Sequence, residues 1–237
     1  MNELNDPFGT AILSFSKNKK PSEIIVRSDQ CEDDIIPVEV LFRTYKEMPE
    51  IEKVALKMCK GDVLDVGAGA GMHAKYLIQK GLKVKCVDSS KGVCHHLTSN
   101  DIFVYHGKME EVVIEEKFDT ILLLMNGIGI AKNLSNLESF LIRMKEVLKP
   151  KGQVIFDSSD VLFLYENEDG SFDINLNDSY YGDFKFQLVY KEHTSEWFEW
   201  LYVDYDNLHH IAQKLNFDCR RVATKENHYL AQLTLKS

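Results

Sequence analysis

The chain has 237 residues, 44% of them hydrophobic and 27% charged, which is typical of a globular protein with one large domain or two small ones. Its formal net charge of -9 argues against a nucleic-acid partner, because phosphate backbones are usually met by a surplus of lysine and arginine. No apolar run is long enough to predict a membrane-spanning helix, so no membrane partner is expected.

The cysteines and the N-terminus bear on location and metal content. Residues 1–10 lack the basic start and the apolar core of a secretory signal. The five cysteines are scattered without a C-x-x-C pair, which predicts reduced thiols, a cytoplasmic location and no zinc site. The histidines show no metal-binding spacing, so no metal is predicted.

Residues 1–48 precede the regular part of the chain and are predicted to form an N-terminal extension or lid. An apolar run at 24–26 and an acidic turn at 28–34 come first. The following segment, 37–45, predicts a helix with proline near its first turn.

From residue 49 onwards, helix and strand patterns alternate. Apolar residues at helical spacing predict helices at 51–58, 72–80, 92–98 and 134–148. Strands are predicted at 62–66, 82–87, 102–105, 118–125 and 153–157, and their continuous apolar runs indicate a parallel sheet covered on both faces. A helix at 206–215 and strands at 217–223 and 228–235 close the predicted fold. This fold is α/β, with a doubly wound, mostly parallel, Rossmann-like sheet of seven strands.

Residues 158–204 interrupt this alternation as an insertion. Aromatic and apolar residues alternate with polar ones over 184–190 and again over 198–202, which predicts an antiparallel hairpin with one buried face. The insertion is predicted to be either a substrate cover or a dimer surface, so both a monomer and a homodimer stay open.

The strand at 62–66 runs directly into a loop with glycines at 67, 69 and 71. Glycine lets the backbone bend sharply and approach a ligand closely, because it has no Cβ. Asp88 ends the next strand, 21 residues after Gly67, where a carboxylate can accept hydrogen bonds from both ribose hydroxyls. The pattern predicts a nucleoside cofactor. A dinucleotide fingerprint would need glycine at position 72, where Met72 stands.

The D-x-G-x-G-x-G pattern of residues 65–71, followed by Asp88, resembles motifs I and II of the class I S-adenosylmethionine-dependent methyltransferases. The resemblance covers 49–157 and, more loosely, 205–237. It implies a methyltransferase domain at 49–237 with S-adenosyl-L-methionine as methyl donor. The predicted donor-binding residues are Arg43, Asp65, Gly67, Ala68, Gly69, Gly71, Asp88, Ser89, Lys108, Met109 and Asn126.

Two positions depart from the family pattern. Lys108 stands where related enzymes commonly have an acid facing the adenine amino group, and lysine cannot accept a hydrogen bond. Adenine recognition then falls to Glu110 or to backbone groups of Lys108 and Met109. Asn126 matches only the first residue of the Asn/Asp-Pro-Pro-aromatic motif of amino-group methyltransferases, so a planar exocyclic amine is not implied.

The candidates on the acceptor side are Asn126, Asp157 and Tyr45, and each has a structural alternative. Asn126 follows one predicted strand and Asp157 ends another, and each could instead merely stabilise the turn there. Arg43 and Tyr45 could close over the methionine carboxylate, or they could lie on a solvated helix face.

The sequence predicts methyl transfer to a small-molecule acceptor, because the chain is acidic and its flanking segments could enclose a modest pocket. The alternatives are a catalytically silent S-adenosylmethionine-binding protein, an NAD-binding oxidoreductase and a protein methyltransferase. The residues do not indicate which acceptor atom is attacked or whether a general base is used.

Overall fold

The computed structural model describes residues 6–167, 169–172 and 179–236. The strands are β1 (Glu23–Ser28), β2 (Asp34–Pro37), β3 (Asp62–Val66), β4 (Lys83–Asp88), β5 (Val104–His106), β6 (Phe118–Leu123), β7 (Leu148–Ser159), β8 (Asp183–Tyr190), β9 (His193–Thr194), β10 (Phe198–Leu201), β11 (Phe217–Lys225) and β12 (His228–Leu235). The α-helices are α1 (Pro7–Asn18), α2 (Glu50–Met58), α3 (Met72–Gln79), α4 (Lys91–Thr98), α5 (Leu134–Glu146) and α6 (Tyr205–Lys214). Short 3-10 helices occupy Val38–Phe42, Gly127–Ala131 and Leu162–Tyr165.

Seven strands form the large sheet, in the order β11-β12-β7-β6-β3-β4-β5. The strands from β3 to β7 are parallel, and β12 runs antiparallel to both β7 and β11. The predicted doubly wound sheet is therefore confirmed, and β3 and β12 have the predicted bounds. β7 begins earlier than predicted, because Leu148 already pairs with Phe118 before a register shift.

Two buried hydrophobic clusters cover opposite faces of the large sheet. Leu64 and Ile121 belong to one cluster, together with residues of α5 and α6. Their neighbours Val63 and Leu122 belong to the other, with residues of α1 to α4. Consecutive residues of a strand point to opposite faces, so these central strands are buried on both sides, as their apolar runs predict. None of the helices in the described ranges is long and apolar enough to cross a bilayer.

The predicted extension and the predicted insertion combine into a second, smaller sheet. This antiparallel small sheet has the order β10-β8-β1-β2, with β9 paired to β8. The predicted hairpin is present, since Phe186 pairs with Phe198 and Phe184 with Trp200. The extension supplies β1 and β2, and β1 pairs with β8 over residues 25–28 and 186–189. Residues 1–5, 168, 173–178 and 237 lie outside the described part of the chain.

The extension also contributes α1, which the sequence reasoning missed. Asp6 caps this helix by accepting the Gly9 N–H at 2.9 Å, and its other oxygen accepts the Ser90 hydroxyl and the Gly92 N–H of α4. A Cβ on Gly92 would lie 2.6 Å from the backbone of Gly9, so the two helices cross in direct backbone contact. The crossing places Phe8 beside the loop between β3 and α3.

The helix predicted at 37–45 is reduced to the single 3-10 turn Val38–Phe42. Pro37 still pairs with Glu23 as the last residue of β2, and the backbone is extended again at Arg43. The side chain of Glu47 then accepts the Thr44 N–H at 2.7 Å, which starts a separate turn. These contacts leave too few residues for a helix, and the prediction is corrected accordingly.

Candidate active site

A cavity of about 1760 Å³ lies between the carboxyl edge of the large sheet and one face of the small sheet. Its lining includes the loop after β3, the end of β4, residues 107–110 and 124–127, and residues of α1. In open α/β sheets ligands bind at this edge, outside the carboxyl ends of the strands.

The glycine loop has the backbone conformation that its sequence predicts. Gly67, Gly69 and Gly71 have φ angles of 74°, 54° and 73°, in the left-handed region that favours glycine. A Cβ on Gly67 would lie 2.7 Å from Ile130 Cδ1, and one on Gly71 would lie 2.5 Å from Leu97 Cδ2. Gly67, Ala68 and Gly69 line the cavity, whereas Gly71 faces the protein interior.

Asp88 lies at the cavity wall at the end of β4. Its carboxylate accepts the Gly69 N–H at 3.1 Å and the Ser90 N–H at 2.9 Å. The side chain of Ser90 caps α4, so Asp88 does not take the capping role that was its structural alternative. Burial raises the pKa of Asp88 to about 6. Ser89, predicted beside it, is exposed and also lines the cavity.

Asp65 is a buried carboxylate with an unmet hydrogen-bonding group. Asp65 is only 2% exposed and lines the cavity. Its Oδ2 atom forms no hydrogen bond with the described residues. Burial raises the pKa of Asp65 to about 6, against an opposing effect of nearby His73. Because an unsatisfied buried carboxylate oxygen is costly, this atom suits a ligand that brings its own donor, such as an ammonium group.

Arg43 is held at the cavity wall by Glu52 of α2. Glu52 is 3% exposed, and its two oxygens contact Arg43 Nη2 and, at 2.9 Å, His73 Nε2. Arg43 and His73 both line the cavity. The sequence reasoning missed Glu52 and His73. The signal for Glu52 is a carboxylate between Ile51 and Ala55 on the buried side of an amphipathic helix.

Residues 108–110 line the cavity as predicted, with different environments. The side chain of Lys108 is half exposed, and its Nζ lies 3.6 Å from Glu111 Oε1. Met109, in contrast, is buried at 1% exposure. Glu110 forms an ion pair of 2.9 Å with Lys132. Of these side chains, Glu110 therefore already has a cationic partner before any ligand is bound.

Asn126 and Asp157 are brought together at the same edge of the large sheet. Asn126 donates its N–H to Asp157 Oδ1 at 3.0 Å, and its side-chain oxygen accepts the Ser159 hydroxyl. Asp157 Oδ2 lies 2.7 Å from His228 Nε2. Asn126 and His228 line the cavity, while Asp157 lies behind them at 1% exposure. His228 was not predicted as a site residue.

Tyr45 is not brought to the cavity. Its ring stacks on Tyr76 with a centroid distance of 4.1 Å and an interplanar angle of 3°, and it is absent from the described lining of the cavity. Arg43 and Tyr45 were proposed together from the sequence, but their side chains lie in different environments. Only Arg43 reaches the site.

The opposite wall of the cavity is the inner face of the small sheet. Alternate residues of β8 and β10 face inward, as the hairpin pattern predicts. The apolar and aromatic lining residues on this wall are Val26, Ile36, Phe184, Phe186, Leu188, Phe198, Trp200 and Tyr202. Trp200 packs directly on Gly129, where a Cβ would lie 2.1 Å from its ring. Through this contact the small sheet packs against the loop after β6.

Comparisons with known proteins agree with this geometry. A family model described as a methyltransferase domain matches residues 63–152. A crystal structure of an S-adenosylmethionine-dependent methyltransferase from Bacteroides fragilis, in complex with S-adenosylhomocysteine, is 38% identical with a TM-score of 0.91. The alignment covers 99% of this chain and 97% of that one. The chain belongs to the S-adenosylmethionine-dependent methyltransferases. The predicted family is confirmed, and with it the donor, S-adenosylmethionine.

More distant relatives share parts of the chain. The ubiquinone biosynthesis O-methyltransferase of Rickettsia bellii is 26% identical over 103 residues, which is 41% of this chain and 41% of that protein. The match therefore spans less than half the length of these curated relatives. The CcbJ methyltransferase of Streptomyces caelestis has a TM-score of 0.61 at 15% identity, covers 81% of this chain and 95% of its own, and shares the fold.

The Glu52 contacts predict a test of donor-site organisation. We expect Glu52→Gln to weaken S-adenosylhomocysteine binding about tenfold, because Arg43 and His73 lose the buried carboxylate that holds them. Isothermal titration calorimetry measures the dissociation constant. Glu50→Gln is the matched control, since Glu50 lies on the same helix with its side chain 73% exposed. Unchanged affinity in Glu52→Gln would show that Glu52 does not organise the site.

The raised pKa of Asp65 predicts a pH dependence of donor binding. Below about pH 6 the free protein holds a proton on Asp65, and pairing with the ligand's ammonium group must expel it. Affinity for S-adenosylhomocysteine should therefore rise roughly tenfold from pH 5 to pH 7. Asp65→Asn should lose the part of the rise that comes from this carboxyl and keep the part that comes from Asp88, whereas Asp62→Asn, at the other end of β3, should retain the full rise. An equal rise in all three proteins would contradict the assignment.

Proposed function

We propose that the protein transfers a methyl group from S-adenosylmethionine to a small molecule bound against the aromatic wall. The observation that carries this proposal is the cavity between the two sheets. Its volume of about 1760 Å³ exceeds the ~300–1,000 Å³ of common ligand pockets, so it has room for a donor and an acceptor together. One wall is polar and the other is apolar, which suits two ligands of different chemistry.

The polar wall fits the donor. In this proposal Asp65 Oδ2 accepts from the donor's ammonium group, Arg43 binds its carboxylate, and Asp88 accepts from its ribose hydroxyls. The donor supplies a methyl group already activated on a sulfonium, so little covalent chemistry is left to the protein. The side chains then need to hold the acceptor in line with the methyl group and to exclude water.

The apolar wall supports a small-molecule acceptor. Aromatic side chains pack well against aromatic ligands, edge-to-face as well as stacked, and the acidic charge of the chain disfavours nucleic acid. The Rickettsia relatives are named as O-methyltransferases of ubiquinone biosynthesis, and that name is consistent with an acceptor of this kind. The small sheet would act as the substrate cover, because its aromatic face is turned inward. All five cysteines are free thiols, which supports the cytoplasmic location predicted from the sequence.

Turnover tests the proposal. The purified protein is incubated with S-adenosylmethionine and a panel of phenols, catechols, amines and thiols, and S-adenosylhomocysteine is quantified. We expect turnover of at least one aromatic acceptor. Phe186→Ala should raise the KM of that acceptor about tenfold and leave the S-adenosylhomocysteine dissociation constant unchanged, because the lost ring faces the acceptor.

Phe103→Ala is the control, since Phe103 is 53% exposed and lies outside the cavity lining. Binding of S-adenosylhomocysteine without turnover of any acceptor would instead support the silent binding protein. Turnover of basic peptides alone would support a protein methyltransferase.

A further inference from the structure

His228 and Asp157 form a histidine–carboxylate pair at the cavity. His228 is the first residue of β12, and because β12 is antiparallel, its start lies at the carboxyl edge of the parallel strands. The imidazole side chain is 30% exposed and faces the cavity, and Nε2 lies 2.7 Å from Asp157 Oδ2. β7, which carries Asp157, pairs with β6, and the chain continues from β6 to Asn126.

The surroundings of Asp157 determine which imidazole nitrogen carries the proton. Asp157 Oδ1 accepts the Asn126 N–H, and neither lysine nor arginine pairs with this carboxylate among the described residues. An ionised carboxylate can only accept, so the His228 Nε2 must donate to it. The lone pair of a neutral His228 is then on Nδ1, which forms no hydrogen bond within the described part of the chain.

We propose that His228 is the general base of methyl transfer and that the acceptor is a neutral aromatic compound with a hydroxyl group. This inference rests on the proposed function. The acceptor oxygen forms a bond to the methyl group, the bond from methyl to sulfur breaks, and its electron pair stays on sulfur as a neutral thioether. The hydroxyl proton passes to His228 Nδ1 and then to water. Asp157 is a positioning residue that holds the Nε2–H tautomer and stabilises the imidazolium.

The lining of the cavity points to this acceptor class. The rings of the aromatic wall favour an acceptor that contains an aromatic ring. Phe163, Leu164 and Trp197 extend the apolar lining with side chains that are about half exposed. Glu196 and Glu199 line the cavity on the side of the small sheet, so an acceptor that placed a carboxylate against this wall would meet like charges. A neutral phenol is a weak nucleophile until its proton is removed, and a general base supplies that step.

His193 is another histidine that could act as a base. It also lines the cavity, and its Nδ1 is buried without a partner among the described residues. Its Nε2, however, lies 3.7 Å from Glu192, whose side chain is 74% exposed. A mobile, solvated carboxylate does not fix a tautomer, whereas the buried Asp157 does. The geometry therefore favours His228.

The test compares acceptors of different acidity. The unmodified protein, His228→Ala and Asp157→Asn are assayed with S-adenosylmethionine and with phenol, catechol, 4-cyanophenol and 4-nitrophenol. We expect His228→Ala to lose about 10²–10⁴-fold in kcat/KM with phenol and catechol. The loss should shrink towards 4-nitrophenol, whose hydroxyl is the most acidic of the four, and added imidazole should restore part of the activity of His228→Ala.

Donor binding and a surface histidine provide the controls. The S-adenosylhomocysteine dissociation constant should be unchanged in both variants, and His210→Ala, in an exposed position on α6, should behave as the unmodified protein. His228→Asn serves as a second variant if His228→Ala does not fold. Asp157→Asn should reduce kcat more than it raises KM, because positioning of the base and not acceptor binding is altered.

Three outcomes would overturn the inference. An equal loss with all four phenols and no rescue by imidazole would give His228 a structural role. Full activity of both His228 variants would exclude it as the base. Turnover of amines or thiols but of no phenol would contradict the acceptor class and leave the proposed function intact. Donor binding without turnover of any acceptor would instead contradict the proposed function itself.

Discussion

The pairing of β1 with β8 is the contact on which the site depends. It joins two segments that are about 160 residues apart in the sequence. Arg27 and Gln187, for example, are 160 positions apart and form a hydrogen bond across the two strands. Without this pairing the extension and the insertion would each expose an unpaired strand edge. With it, they form one sheet whose aromatic face closes the cavity over the glycine loop. The flanking segments, which carry no family motif, thus supply the wall that we propose binds the acceptor.

Buried carboxylates organise the opposite wall. Asp65, Asp88 and Asp157 lie near the carboxyl ends of β3, β4 and β7, and Glu52 lies on α2. Burial raises the pKa of both Asp65 and Asp88 to about 6, so their ionised forms are costly until a ligand contributes donors. The free energy of donor binding and the ionisation of these groups are therefore linked.

The large sheet and the conformation of the glycine loop could be predicted because their signals are local. Apolar runs and glycine spacing are read within a few residues, so β3, the glycine loop and Asp88 were placed correctly. The small sheet could be predicted only in part. Alternation revealed the hairpin of β8 and β10, but the pairing of β1 with β8 leaves no local pattern. The helix predicted at 37–45 failed because tertiary pairing of β2 extends to Pro37.

Residues that act in pairs across the fold were the hardest to find. His228 and Asp157 are 71 positions apart, and His228 had no spacing that marks it in the sequence. Tyr45 was selected for its closeness to Arg43 along the chain, whereas its ring stacks on Tyr76. In both cases the surroundings of the side chain depend on which strand or helix packs against it. That depends on the register of the whole sheet and not on the neighbouring residues.

A crystal structure with S-adenosylhomocysteine tests the central claim, that the donor lies between the two sheets with its sulfur towards the acceptor wall. We predict that the ligand's ammonium group contacts Asp65 Oδ2, that its ribose contacts Asp88, and that its sulfur faces the side of the cavity lined by His228 and Phe186. A complex with Asp65 Oδ2 still unpartnered, or with the sulfur turned away from the small sheet, would contradict this account.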